Sequence, residues 1–292
     1  MNVRAIYKLI RPHQYIKNGF VWLGIVFSQP RTVTDFIHVG FVFVAFCAAA
    51  SCVYVFNDIF DVEADRLHPI KCRRPIASRA VTIPTAWFLI SILATLAFGL
   101  AALVGLIPVT LIGLYLLINA AYSWRLKHVV ILDVFLVSAG FMLRILIGTV
   151  GVGIAPSQWL LLTGLMLTLF LGFAKRRAEL LMLENAGKTD RASVRRVLDD
   201  YSPVVLDQLT GITAACTILS YGLYTVSADT VRTHGSYALF YTLPFVIYGM
   251  FRYVYLLHHH ARGGDTAKDL MTDPHLIVTG LGWIAISLWV LA

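Results

Sequence analysis

The apolar residues of this chain are gathered into blocks of about twenty, and nothing constrains its fold more. Nine such blocks run roughly over 15–28, 36–56, 82–104, 107–124, 130–150, 157–174, 204–226, 237–257 and 275–291. About twenty residues at ~1.5 Å rise cross the ~30 Å hydrocarbon core of a bilayer. In lipid every backbone polar group must be satisfied internally, which leaves helices or closed barrels. These blocks are too long and too uniformly apolar for barrel strands. The expected fold class is therefore all-α: a polytopic membrane protein of about nine transmembrane helices, forming one domain over 1–292. Charged residues make up only 14% of the chain, against about a quarter in soluble domains. The first block is short and follows Pro12, so a tilted or half-inserted helix is expected there.

Lys and Arg placement fixes the orientation. With the N-terminus in the cytoplasm and the blocks alternating, 21 of the 24 Lys and Arg fall on inner segments. Arg31 and Arg232 fall outside, and Arg144 lies within the fifth block. This predicts a multi-pass protein of the cell membrane, with polar cytoplasmic loops at 57–81 and 175–203 and the C-terminus outside. The formal charge of +8 then reflects topology together with anionic headgroups or phosphorylated substrates, and nucleic acid is not expected as a partner. Cys47, Cys52, Cys72 and Cys216 lack C-x-x-C spacing and read as buried thiols, with neither a disulfide frame nor a zinc site. No small-residue cleavage site follows the first block, so no cleavable signal is expected.

The segment Asn57-Asp58-Ile59-Phe60-Asp61-Val62-Glu63-Ala64-Asp65 closes the second block. If the helix continues through it, Asp58, Asp61 and Asp65 fall at i, i+3 and i+7 on one face, with Asn57 beside Asp61 and Glu63 pointing elsewhere. Like charges so placed repel by a few tenths of a kcal/mol per pair, and a cation is needed to hold them together. Mg²⁺ takes carboxylate oxygens and keeps positions for water or phosphate. The three aspartates are thus candidate metal ligands and catalytic residues on a Mg²⁺–diphosphate platform. Arg66, Lys71, Arg73 and Arg74 follow directly, with Pro69 and Pro75 forbidding a continuous helix. Topology explains these cations but not their position beside the aspartates, which fits a metal-bridged phosphate.

Further candidates are spread along the chain. Lys17 lies about one turn inside the inner interface, where it can snorkel or meet a ligand. Tyr122 and Lys127 close the fourth block, as belt and anchor residues or as substrate contacts. Asp133 and Arg144 return to nearly the same helix face but lie about 16 Å apart along it, too far to pair. Arg144 must face the bundle or snorkel outward. Lys175, Arg176 and Glu179, with Arg196 and Tyr201 beyond, form a second polar segment. It reads as a phosphate-binding wall facing the aspartates, or as a solvated helix with i,i+4 pairs. His258, His259 and His260 are consecutive, so their side chains diverge and suit an interface better than one metal ion.

The run N-D-x-x-D-x-x-x-D at 57–65, after R-P-x-Q-Y-x-K-N at 11–18 and before D-R-x-x-P-x-K-x-x-R-P at 65–75, resembles the UbiA superfamily of intramembrane prenyltransferases. The resemblance implies nine helices around a central, laterally open cavity, with two polar loops near the cytoplasmic face. The second loop departs from the aspartate-rich pattern of aromatic-acceptor members. K-R-R-A-E-L at 175–180 and R-R-x-L-D-D-Y at 195–201 are similar to the decaprenyl-phosphate phosphoribosyltransferase branch. That branch implies Mg²⁺-dependent transfer of 5-phosphoribosyl from phosphoribosyl pyrophosphate to a polyprenyl phosphate lipid. In that picture Asp58, Asp61 and Asp65 hold Mg²⁺, while Lys71 and Arg74 neutralise the pyrophosphate. Lys175, Arg176 and Arg196 take the 5-phosphate or the acceptor phosphate, and Lys17 the lipid phosphate. The alternative is a prenyltransferase moving a polyprenyl group from its diphosphate to an aromatic acceptor. Homo-oligomeric assembly is left open.

Overall fold

The computed structural model describes residues 3–28, 32–68, 71–186, 198, 200–260 and 272–291, and every regular element among them is helical. After α1 (Val3–Ile10), a 3-10 stretch from Pro12 to Trp22 runs into the short α2 (Leu23–Val26). Next come α3 (Val33–Phe60) and α4 (Val62–Leu67), then a 3-10 turn at Lys71–Arg73. The helices α5 (Ile83–Val104), α6 (Leu106–Trp124), α7 (Leu132–Ile147) and α8 (Gln158–Ala186) follow. The chain ends with α9 (Pro203–Val226), α10 (Ala228–His234), α11 (Leu243–His260) and α12 (Pro274–Leu291).

Local chemistry sets several of these boundaries. Thr32 caps α3 in a capping box: its Oγ1 accepts from Asp35 N at 3.2 Å, and Asp35 Oδ2 accepts from Thr32 N at 2.8 Å. Such a box satisfies two otherwise orphaned amides. Thr82 caps α5 ahead of a proline in its first turn, where the missing N–H does no harm.

Among the described residues seven helices are long and apolar enough to cross a membrane, and the apolar stretch Pro274–Val290 is shorter. The expected first span is instead 3-10 helix leading into a single α-helical turn. By length and composition alone, the described residues thus give seven of the nine expected crossings. The helices α5 and α6 leave large apolar side chains uncovered, among them Phe88, Leu103, Leu106 and Leu117. Apolar patches of that extent call for lipid. Where they are described, both expected loops begin as helix: α3 runs on through Asn57–Phe60, and α8 continues past Lys175 to Ala186.

Where one domain was expected, the helices cluster into two compact units: residues 1–127 with 143–156, and 128–142 with 157–292. The larger core of the first gathers Val42, Phe46, Ala49, Ala97, Ala101, Ile112, Leu143 and Ile147, and a smaller one joins Leu9, Val55, Ile76 and Val81. A Cβ at Gly148 would lie 1.8 Å from the backbone oxygen of Val21, so only glycine lets these two backbones touch. The second unit has two cores. Phe170, Ala174, Ala178, Met250, Tyr253 and Leu257 form one, and Val134, Leu169, Phe173, Leu198, Tyr201 and Leu206 the other.

Candidate functional site

In the first unit a polar seam runs between the 3-10 segment and α3. Residues three or four apart share a helix face, and α3 so aligns Cys47, Ser51, Tyr54 and Asp58. Each faces a partner. Asn18 Nδ2 donates to Cys47 Sγ at 3.2 Å, and the Tyr15 hydroxyl lies 2.8 Å from Ser51 Oγ. Arg11 lies over the Tyr54 ring at 5.2 Å and donates to Asp58 Oδ1 at 2.5 Å. Arg11 has φ 53 and ψ 56, a left-handed conformation that turns α1 into the 3-10 segment.

The aspartate motif lies at the polar end of this seam. The α3 helix stops at Phe60 and Asp61 adopts φ −92 and ψ 8, yet Asp61 N still bonds Asn57 O and Asp65 N bonds Asp61 O. The helix is interrupted there; Asp58 and Asp65 share one cation while Asp61 meets another. Asp58 and Asp65 are buried, at 2% and 3% exposure. Arg74 Nη1 bridges them, 3.2 Å from Asp58 Oδ1 and 2.7 Å from Asp65 Oδ2. Asp61 is more open and pairs with Lys127 Nζ at 3.3 Å. Asn57 Oδ1 accepts from Ser123 Oγ at 2.5 Å.

The second oxygen of Asp58, Oδ2, is buried with no hydrogen-bond partner among the described residues. An orphaned buried carboxylate oxygen is costly, and it marks Oδ2 as the atom of this side chain open to a further partner. Among the described residues no three His, Cys, Asp or Glu side chains converge as a ready-made cage. Mg²⁺ is commonly held by one or two carboxylates and completes its octahedron with water and substrate phosphate. The donor set, with a buried carboxylate oxygen left open at Asp58, fits a hard divalent ion.

The other expected residues of this unit divide. Arg74 and Lys127 join the aspartates. Arg66 turns outward to the exposed Glu63 at 2.8 Å. Lys71 is exposed, and Lys17 and Tyr122 are half-buried. Arg144 faces inward. Its Nε donates to Asn18 Oδ1 at 2.8 Å, and its guanidinium lies 4.9 Å from the Phe46 ring centre and 5.3 Å from that of Tyr115. Such cation–π contacts strengthen when desolvated, so Arg144 holds α7 to the seam. Arg11 and Ser123 were not foreseen as site residues. The only sequence signal was the position of Arg11 at the head of the R-P-x-Q-Y-x-K-N run.

The second unit holds its own buried polar network. Asp133 is fully buried and both oxygens are engaged: Tyr201 donates its hydroxyl to Oδ1 at 2.7 Å, and Arg176 Nε donates to Oδ2 at 2.7 Å. Arg176 Nη1 reaches Glu179 Oε2 at 2.6 Å. The Tyr201 oxygen in turn accepts from Ile131 N at 2.7 Å. Ile131 has φ 68, a genuine outlier for a β-branched residue. Burial, and then the bond to Asp133, push the Tyr201 phenol well above its ordinary range. Arg176 is 4% exposed, so this stretch is not a solvated helix face, and Glu179 is bonded to Arg176 at i,i+3. Lys175 is half-buried. Nearby, Arg177 Nε and His258 Nε2 meet Asp207 Oδ1 at 2.8 and 3.1 Å. Arg196 lies outside the described residues, as do the side chains of His259 and His260. All four cysteines are free; Cys47 and Cys52 are buried, Cys72 and Cys216 only partly.

Residues 19–272 match the UbiA prenyltransferase family. A decaprenyl-phosphate phosphoribosyltransferase of Corynebacterium glutamicum is 34% identical over 287 residues, covering 95% of this chain and 83% of that protein. The protein of the same name from Mycobacterium tuberculosis is 32% identical over 293 residues, covering 97% and 93%. Among solved structures, a UbiA homolog from Archaeoglobus fulgidus bound to GPP and Mg²⁺ matches with a TM-score of 0.71. It covers 98% of this chain and 99% of that one at 15% identity, a likeness of fold.

Proposed function

This chain is a member of the UbiA prenyltransferase family, and on that premise we propose that it transfers 5-phosphoribosyl from phosphoribosyl pyrophosphate to a polyprenyl phosphate, decaprenyl phosphate by likeness to the relatives. Pyrophosphate is released. The choice of reaction follows the two relatives at 32–34% identity over nearly the whole chain. One observation carries the reading of the site: a buried carboxylate, Asp58, with one oxygen held by Arg11 and Arg74 and the other left without a partner among the described residues.

Asp58, Asp61 and Asp65 are the residues that would hold Mg²⁺. When bound, the ion would supply Lewis-acid charge to the departing pyrophosphate. Arg74 and Lys71 bind the pyrophosphate oxygens, and Asn57, fixed by Ser123, borders the same group. Lys17 meets the lipid phosphate. In the second unit Arg176 and Tyr201 lock Asp133 and Glu179 in place, and Lys175, with Arg196, takes the donor's 5-phosphate. The acceptor phosphate oxygen attacks the anomeric carbon while the bond to pyrophosphate breaks, through an oxocarbenium-like state. The acceptor is already ionised at neutral pH, so the residues position and neutralise; no strong base is required.

The same reading places nine crossings in the cell membrane. The 12–26 segment and Pro274–Val290 make up the two beyond the seven long helices. The N-terminus and both polar segments are cytoplasmic and the C-terminus is outside, as the lysine and arginine bias requires. Both units serve one reaction.

Purified protein with Mg²⁺, labelled phosphoribosyl pyrophosphate and a polyprenyl phosphate should yield lipid-extractable label and free pyrophosphate. Activity confined to a prenyl diphosphate and an aromatic acid would overturn this reading.

A further inference from the structure

The carboxylates of the first unit are already neutralised from within. Among the described residues three cationic side chains contact the three aspartates: Arg11 on Asp58, Arg74 on Asp58 and Asp65, and Lys127 on Asp61. Three negative charges meet three positive ones. Asp58 and Asp65 are almost wholly buried, so the balance is struck where net charge is expensive. Arg74 Nη1 also takes the space between two carboxylate oxygens of different residues, which an ion ligated by both would need.

A bare divalent cation entering this cluster would leave it two charges in surplus and would have to push Arg74 away from both carboxylates with nothing to receive it. A diphosphate changes both sides of that balance. Its own negative charge offsets the ion, and its oxygens are good alternative partners for guanidinium groups. We propose that Arg11, Arg74 and Lys127 are resident counter-ions that make the aspartates accept a divalent cation together with a diphosphate and poorly without one. The inference rests on the metal–diphosphate reading above and adds Arg11 to the residues that govern the site.

Equilibrium dialysis of the full chain in detergent, with labelled Mn²⁺ and labelled inorganic pyrophosphate, tests it directly and without turnover. Retention of Mn²⁺ should strengthen about 5- to 150-fold when pyrophosphate is present, the usual range of such coupling. In Arg11→Gln and Lys127→Gln, Mn²⁺ alone should be held more tightly and the enhancement by pyrophosphate should shrink. Arg11→Lys keeps the charge and should keep the coupling. Lys127→Gln lies at the more open aspartate and tests the idea even if Arg11→Gln does not fold. Wild-type protein that holds Mn²⁺ equally well with and without pyrophosphate overturns the inference and leaves the metal–diphosphate reading standing, as does full coupling in both glutamine variants. Protein that retains neither ligand in any combination overturns the metal–diphosphate reading itself.

Discussion

Tyr201 donates its hydroxyl to Asp133 across 68 residues of sequence, at 2.7 Å, and thereby occupies one oxygen of a carboxylate that is wholly buried. The same hydroxyl accepts the amide of Ile131, so one phenol fixes both a buried charge and a left-handed backbone turn. Strained backbone of this kind persists only where its surroundings over-determine it.

Tyr201→Phe should therefore destabilise the protein by about 1–3 kcal/mol, the usual result of leaving a buried acceptor and a buried amide unsatisfied. Thermal unfolding in detergent measures it. The pH dependence has a defined sign. The phenol is raised in the folded state, so its contribution is complete below its unfolded pKa of about 10 and is lost as pH climbs through the folded value. The gap between wild type and Tyr201→Phe should be constant from about pH 7 to 9 and narrow above about pH 10.

Asp61→Asn should lower turnover on the order of 100-fold, since it removes one carboxylate of the metal platform and leaves Lys127 unopposed. Release of pyrophosphate from phosphoribosyl pyrophosphate gives the rate. An unchanged rate would argue that the acidic cluster only binds a cation, as in a transporter or scaffold.

Chelation should abolish transfer, and added Mg²⁺ should restore it. Both arginines lie on Oδ1 of Asp58, which leaves Oδ2 open to the ion that arrives with the diphosphate. Activity that persists in excess chelator would remove the metal from the mechanism.

Gly148→Ala should destabilise by at least about 1–3 kcal/mol, the range for overpacking, because its Cβ would collide with backbone and not with a side chain that can swing away. The change touches no charged group, so the loss should appear in the thermal midpoint and in yield. A midpoint equal to wild type would show that the close approach to Val21 is not maintained in the membrane.

The membrane character and the aspartate motif were legible from sequence because both are local. Twenty apolar residues in a row and three aspartates within eight positions carry their meaning within one short stretch of chain. What escaped depends on partners distant in the chain. Arg66 and Arg74 look alike in a basic run, yet Glu63 draws one outward while Asp65 and Asp58 draw the other in. Arg11 and Asp58 lie 47 positions apart, and no spacing rule connects them. Arg176 reads from sequence as part of a phosphate-binding wall or of a solvated helix; neither shows that Asp133, 43 positions earlier, holds it in a buried network. Helix ends escaped for another reason. Hydropathy drops at Asn57 and at Lys175, but backbone hydrogen bonding continues past both.

The hydrogen-bonded contacts between the 3-10 segment and α3 also govern when the segment can settle during synthesis. Arg11, Tyr15 and Asn18 meet groups on α3, and Asn18 meets Arg144 on a helix made much later. Hydrocarbon cannot solvate such groups, so a nascent 12–26 stretch should wait at the headgroups until those helices arrive. A cysteine replacing Trp22 should react with a water-soluble maleimide in chains halted before residue 140 and become protected once the Leu132–Ile147 helix has cleared the ribosome. The 12–26 stretch would then settle only after helices made well after it, while most of the second unit is still to come.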